Sequence, residues 1–155
     1  MANRIKQVMD LSNNLDELNE FFGKNEELYS FLGIKITKIE EGHVELMLPY
    51  SDHVTRAGKV LHGGAMMTAL DYAGGITTMT VNKEMDQVTQ EIKINFLSTM
   101  SNGPFRVEAH AIKSGKTAVV IEIRLYDADG KLGIIALGTW YIIKDRIIKK
   151  EEKEK

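Results

Sequence analysis

At 155 residues and a formal net charge of −2, the chain is long enough for one domain with a real core and carries no overall field that would recruit nucleic acid or an anionic membrane. It has no cysteine, which excludes disulfides, thiolate metal sites and a cysteine nucleophile. The N-terminal stretch contains Asp10 and no apolar h-region, and the longest apolar run, 133–143, is about half of what spans a bilayer, so a cytoplasmic protein is expected.

In chain order, Ile5, Val8 and Met9 recur at helical spacing, as do Leu15, Leu18 and Phe22. Asn14 followed by Glu17 resembles a capping box, with Gly23 as the expected stop. Asn25 is placed to cap a third short helix carrying Leu28, Phe31 and Leu32 and ended by Gly33. From Gly33 the period changes to two. Ile34 and Ile36 alternate with Lys35 and Thr37, Glu41-Gly42 makes a turn, and Val44, Leu46 and Leu48 complete a hairpin. A loop over 49–58 with His53 and Arg56 then leads to His62.

Residues 61–81, LHGGAMMTALDYAGGITTMTV, are predicted to form a long helix of about five turns. It is apolar nearly all round, the mark of a buried helix, and its only charged side chain is Asp71. Gly74 and Gly75 cost about 1 kcal/mol each relative to Ala, which implies that another backbone packs close there. Next comes a strand over 88–96, with Val88, Ile92, Ile94 and Phe96 on one face and Thr89, Glu91, Lys93 and Asn95 on the other. Turns at 101–104, 114–115 and 127–130 separate further strands over 105–113, 117–126 and 132–143, and a mixed-charge tail follows. A hairpin, a buried helix and a meander of four antiparallel strands make an α+β layer architecture, with the sheet curled around one helix.

A lone acid in a buried helix faces a small polar pocket or a subunit interface, or it serves as a general base or nucleophile tuned by dry surroundings. No Lys or Arg in the helix neutralises Asp71, which favours chemistry. His62-Gly63-Gly64 opens the same helix. There the first-turn N–H groups and the dipole are positive, and glycines let a carbonyl oxygen approach, as in an oxyanion hole. Gly63 and Asp71 are eight residues apart, about 12 Å along a helix axis. One reacting group cannot touch both. If both serve one site, a second copy of the helix supplies the missing half, so a symmetric homodimer with two interfacial sites is expected.

The pattern HGGAMMTALDYAGG, followed by a strand and then by Lys113-Ser114-Gly115-Lys116-Thr117, resembles the PaaI-type acyl-CoA thioesterases of the hotdog fold. The resemblance covers about Gly33 to Ile143. It implies a hotdog domain over 33–145 with its sheet wrapped around the central helix, and it leaves uncovered the helical extension over 1–32 and the charged tail over 146–155 that the residues themselves indicate. It further implies that Asp71 activates water or attacks the thioester carbonyl, that the Gly63 N–H polarises that carbonyl, that His62 helps hold the site, and that Thr89 positions water or substrate. Members of the family often carry an Asn a few residues before the His-Gly-Gly; here Arg56 stands nearest that place, available to replace it or to reach a phosphate or a partner chain.

From the residues alone, 113–117 is a hairpin turn with solvated lysines. The resemblance assigns Lys113, Gly115, Lys116 and Thr117 to the phosphates of coenzyme A. Met66 and Met67 are candidates for an acyl tunnel, and Trp140 for the core. His43, His53 and His110 have no metal-gathering spacing, and no Gly-x-Ser-x-Gly supports a serine triad. The expected activity is therefore acyl-CoA hydrolysis without metal or bound cofactor, by a dimer or a dimer of dimers. A non-catalytic acyl-CoA sensor on the same fold is the alternative, with the N-terminal helices free to dock a partner; a hotdog dehydratase ranks below both.

Overall fold

The computed structural model describes residues 3–84 and 86–144. The expected charged tail over 146–155 lies outside them. Three short helices come first: α1 (Arg4–Asp10), α2 (Leu15–Asn25) and α3 (Glu27–Leu32). The Asn3 and Asn14 side chains cap α1 and α2 by accepting from the Lys6 and Glu17 N–H groups. Two expectations need correction here. Helix α2 runs through Gly23 to Asn25, and α3 starts after Glu26 with no side-chain cap, so Asn25 is the end of one helix and not the cap of the next. The buried residues of α3 are Tyr29 and Leu32, while Leu28 and Phe31 are exposed. Gly33 ends α3 at φ +69°, a left-handed conformation that suits glycine.

A single polar side chain ties these helices to the sheet. Asn19 accepts from the Tyr29 hydroxyl at 2.6 Å and the Ile36 N–H at 2.7 Å, and donates to the Ile36 carbonyl at 2.9 Å. It thereby serves as the bonding partner of an otherwise open strand edge.

Strands β1 (Lys35–Glu40) and β2 (His43–Leu48) form the expected hairpin. A 3-10 turn at Asp52–Val54 and a small hairpin of β3 (Thr55–Arg56) and β4 (Val60–Leu61) lead into α4 (Gly63–Val81). After it come β5 (Asp86–Phe96), β6 (Phe105–Ser114), β7 (Ala118–Tyr126) and β8 (Leu132–Ile143). The architecture is mixed α+β, an antiparallel six-stranded sheet with a long central helix. The strand order β1-β2-β6-β7-β8-β5 corrects the four-strand meander. The consecutive set is β6 to β8; β5 pairs with β8 at the far edge, and β2 takes the place beside β6.

Strand β5 also departs from simple alternation. Its register against β8 shifts between Thr89 and Glu91, so Gln90 is a bulge. The bulge puts Thr89 on the same side as Ile92 and Ile94, against α4, and leaves Val88 half exposed on the other.

Helix α4 lies on the sheet with Ala69, Leu70, Ala73, Gly74 and residues 76–79 buried. The close neighbour at Gly74 is not a backbone, as expected, but the indole of Trp140: a Cβ at Gly74 would lie 1.9 Å from the ring. At Gly75 it would meet the ring nitrogen at 3.6 Å, an ordinary contact. These two glycines therefore separate experimentally. In urea titrations Gly74→Ala should lose stability, the ring clash of about 1–3 kcal/mol outweighing the gain in helix propensity. Gly75→Ala should hold stability or gain up to about 1 kcal/mol.

Candidate active site

Asp71 is exposed in the single chain, which corrects the expectation of a dry, fully wrapped helix. The sheet ends at β5, so α4 stays bare along the stripe of Gly64, Met67 and Asp71, on the flank where no strand follows. Thr89 on β5 meets Asp71 there, its hydroxyl donating to Oδ1 at 2.6 Å. One turn further along, the Gln87 side chain donates to the Gly75 carbonyl at 3.1 Å. A cavity of about 550 Å³ lies between β5, α4 and the N-terminal helices, and both Asp71 and Thr89 line it.

The start of α4 is fixed by its backbone. Leu61 N–H donates to Met100 and His62 N–H to Val54, each at 2.7 Å. His62 is the N-cap, its Nδ1 accepting from the Gly64 N–H at 2.9 Å. A Cβ at Gly64 would sit 3.1 Å from that imidazole, so glycine makes room for the cap. At Gly63, by contrast, a Cβ would meet only the Phe96 ring at 3.8 Å. Among the described residues nothing demands glycine there. Helix geometry leaves the Gly63 N–H without an intrahelical acceptor, the first such bond running from Met66 N–H to the His62 carbonyl.

Gly63 and Arg56 line a second cavity, of about 350 Å³, with Met66, Phe96 and Leu97. Asp71 does not line it. One chain thus places the acid with Thr89 in one cavity and the helix N-terminus with Arg56 in another. The Arg56 guanidinium donates to the Ala57 carbonyl at 2.9 Å. Met67 lines the Asp71 cavity and Met66 the Gly63 cavity.

The turn over 113–117 lies apart from both. Gly115 N–H donates to the Ala118 carbonyl at 2.9 Å, and Lys113, Lys116 and Thr117 are exposed. The Thr117 carbonyl accepts from Ile142, and Trp140, two residues before, pairs with Thr89. The turn is therefore at the Asp71 end of the sheet, two strand spacings or about 10 Å across from Thr89.

Several wall residues escaped the sequence reading. Arg4, Phe22, Glu26 and Leu28 line the Asp71 cavity together with Tyr72. Arg4 and Glu26 form an ion pair, and the Tyr72 hydroxyl donates to Glu26 Oε2 at 3.4 Å. Burial and the Glu26 carboxylate push the Tyr72 hydroxyl up to a pKa of about 12. Only Tyr72, next to Asp71 in an otherwise small-residue helix, carried any local signal.

The histidines outside the site include one pair. His43 stacks on His110 across β2 and β6, centroids 4.0 Å apart, with its Nε2 buried and without a hydrogen bond. Burial and then His110 hold the His43 imidazole below its ordinary value of 6.5, against the opposing pull of Glu45 and Glu40. The unfolded chain therefore takes up this proton first as pH falls. Stability contributed by neutral His43 is present above about 6.5 and lost on acidification below it. Denaturant midpoints should fall below pH 6.5 in the wild type and fall less in His43→Gln.

Among the described residues no helix is long and apolar enough to cross a membrane. The family model described as the thioesterase superfamily matches residues 58–134. A Saccharolobus solfataricus protein assigned by inference to the esterases is 46% identical over 130 residues, covering 84% of this chain and 93% of that one. The 1,4-dihydroxy-2-naphthoyl-CoA hydrolase of Listeria monocytogenes is 30% identical over 121 residues, covering 77% and 98%. Among solved structures, a Haemophilus influenzae thioesterase superposes with a TM-score of 0.78 at 23% identity, covering 84% of this chain and 91% of that one. The E. coli PaaI protein from the phenylacetic acid degradation operon superposes at 0.75 and 19% identity, covering 86% and 96%. With a bare acid on its central helix and a capped glycine turn at the start of that helix, the chain belongs to the thioesterase superfamily and has its hotdog fold.

Proposed function

We propose that the protein hydrolyses acyl-CoA thioesters, in a homodimer whose two sites each take Asp71 and Thr89 from one chain and the Gly63 N–H from the other. The observation that carries this reading is the division of the two groups between separate cavities of one chain, beside an open helix flank. β5 is an edge of the sheet, 11 residues long, with Val88, Phe96 and Leu97 exposed on it or just after it. A two-fold partner seated on that edge covers those side chains and the bare stripe of α4 together. The Listeria relative, a CoA thioester hydrolase by name, supports the substrate class.

In this reading Thr89 occupies Asp71 Oδ1 and leaves the other oxygen to take a proton from water. The water oxygen attacks the thioester carbonyl, and the Gly63 N–H of the partner holds the oxyanion. The tetrahedral species collapses by breaking the C–S bond. The proton held on Asp71 passes to the departing sulfur, whose ordinary thiol pKa of about 8.5 makes it a ready leaving group. The products are a carboxylic acid and free CoA, and no metal or bound cofactor is required. Lys113, Lys116 and the exposed Thr117 receive the CoA phosphates, with Gly115 holding the turn through its bond to Ala118 and Arg56 at the loop beside Gly63. Pairing of dimers through the outer sheet face, where Leu137 and Tyr141 are exposed, completes a dimer of dimers.

A thiol-trapping assay over an acyl-CoA panel tests the acid. Asp71→Asn should keep its melting temperature, because asparagine has the same shape and still accepts from the Thr89 hydroxyl, and lose turnover by about 100-fold or more. Near-normal turnover removes Asp71 from the chemistry, and tight binding without turnover in the wild type indicates a sensor.

The shared site has its own test. Gly63 is the first helical residue and His62 before it is extended at φ −69° and ψ 133°, so Gly63→Pro deletes one N–H where proline is tolerated. This variant should stay folded and lose about 100-fold or more in kcat. Randomly mixed with Asp71→Asn it should recover about a quarter of wild-type activity, since mixed dimers hold one intact site. No recovery in verified mixed dimers, or full activity in a monomer, overturns the shared site.

A further inference from the structure

The cavity at Asp71 has three walls, and one is not supplied by the sheet and its central helix. β5 contributes Thr89, Ile92 and Ile94, α4 forms the floor, and the N-terminal helices contribute Phe22, Glu26 and Leu28. The extension is fastened to the residue next to the acid. Glu26 pairs with Arg4 and accepts from Tyr72, and the Phe22, Tyr29 and Tyr72 rings follow one another at 5.3 and 5.4 Å.

Exposure falls from mouth to bottom. At the mouth, Leu28 and Met67 are 50% and 48% exposed, while Phe22, Ile76, Met79 and Trp140 below are buried. From Asp71 the floor runs eight residues to Met79, about 12 Å, and Gly75 leaves bare backbone midway. The polar groups along the way are already engaged with one another: Glu26 with Arg4 and Tyr72, Gln87 with Gly75 and Asn82. What remains for a ligand is apolar surface.

Resting on the acyl-CoA reading above, we infer that the N-terminal helices are the third wall of the acyl site, and that Leu28 and Met67 are its lips. The acyl group that fits is an unbranched apolar chain lying along α4. A chain ending in a carboxylate is rejected, because Asp71 and Glu26 already place two carboxylates in the cavity against the one guanidinium of Arg4.

The test uses the full chain and a saturated acyl-CoA series from acetyl to decanoyl, with succinyl-CoA as the anionic member. Binding is read from the fluorescence of Trp140, the single tryptophan, which lines the bottom of the cavity. Measurements are made in the Asp71→Asn background so that nothing is consumed, and hydrolysis is measured in parallel with Asp71 intact. Affinity should rise about fourfold per methylene until the cavity fills, the equivalent of ~0.8 kcal/mol each. Leu28→Ala should weaken the longer chains by roughly tenfold and leave acetyl-CoA within about twofold, and Leu28→Met should restore the wild-type slope. Leu28 is half exposed, so an unchanged melting temperature separates this effect from misfolding.

An identical length dependence in Leu28→Ala and wild type, or succinyl-CoA hydrolysed with as low a KM as butyryl-CoA when Asp71 is intact, overturns the wall. Hydrolysis with no dependence on length overturns the wall and leaves the hydrolase standing. Length-dependent binding that Leu28→Ala flattens, with no wild-type turnover, supports the wall and overturns the hydrolase. An acyl-CoA neither bound nor cleaved overturns both.

Discussion

The contact between Trp140 and Gly74 sets how the helix lies on the sheet. The indole fills the space a side chain at position 74 would need, and a Cβ at Gly138, two residues before it on the strand, would meet the same ring at 2.5 Å. A large rigid ring held between two glycines fixes both the height and the rotation of α4, because interiors are packed too densely to slide. The rest of the site follows from that rotation. Asp71, three residues before Gly74, comes to face β5 and meets Thr89; Gly75, just after it, presents its carbonyl to Gln87. Trp140 is also the residue that pairs with Thr89 across β8 and β5. One side chain therefore positions the helix carrying the acid and neighbours the strand carrying its hydroxyl partner.

Much of this was legible in the sequence because it is written in local periods. The hairpin over Lys35–Leu48, the long helix and the last three strands each announce themselves by alternation or by an apolar run between turn residues. The solitary Asp71 and the glycines before it stand out for the same reason. What escaped depends on contacts between distant segments. Nothing near Gly74 says that its neighbour is an indole 66 residues later, and glycine in a helix signals only that something comes close. Strand order is likewise not a local property. β5 and β6 are consecutive in the chain, yet β5 goes to the edge and leaves α4 bare on that flank. Asn25 looked like a cap because the residue type suits one, and one further turn of α2 overrode it. The ion pair of Arg4 with Glu26 joins two helices whose individual patterns show only which faces are apolar.

The division of labour along α4 has a physical logic. The first turn offers uncommitted N–H groups, of which His62 takes that of Gly64, while the acid sits two turns on, where the helix dipole no longer acts on it. In the proposed mechanism, keeping the N–H turn and the carboxylate on one helix but out of reach of each other prevents the acid from occupying the oxyanion position itself. The N-terminal helices complete the surroundings from the other flank. Asn19, bonded to both the N–H and the carbonyl of Ile36, closes the β1 edge and anchors those helices at the opposite side of the fold from β5. The edge that stays open is therefore the one beside the acid.

The bulge at Gln90 makes β5 two half-strands in opposite phase. Toward the Phe96 end, even-numbered residues face α4; toward the Asp86 end, odd-numbered ones do, and Thr89 is the first of these past the bulge. Which side chain meets Asp71 is consequently decided by Gln90 standing outside the alternation as well as by the kinds of residue. Losing the single residue Gln90 would remove the bulge and leave Thr89 facing α4 opposite Trp140, whereas drawing Gln90 into plain alternation would turn the Thr89 hydroxyl to the outer face. The bulge thus takes up one residue without changing which side chain meets the acid, and the packing of both halves of β5 is kept.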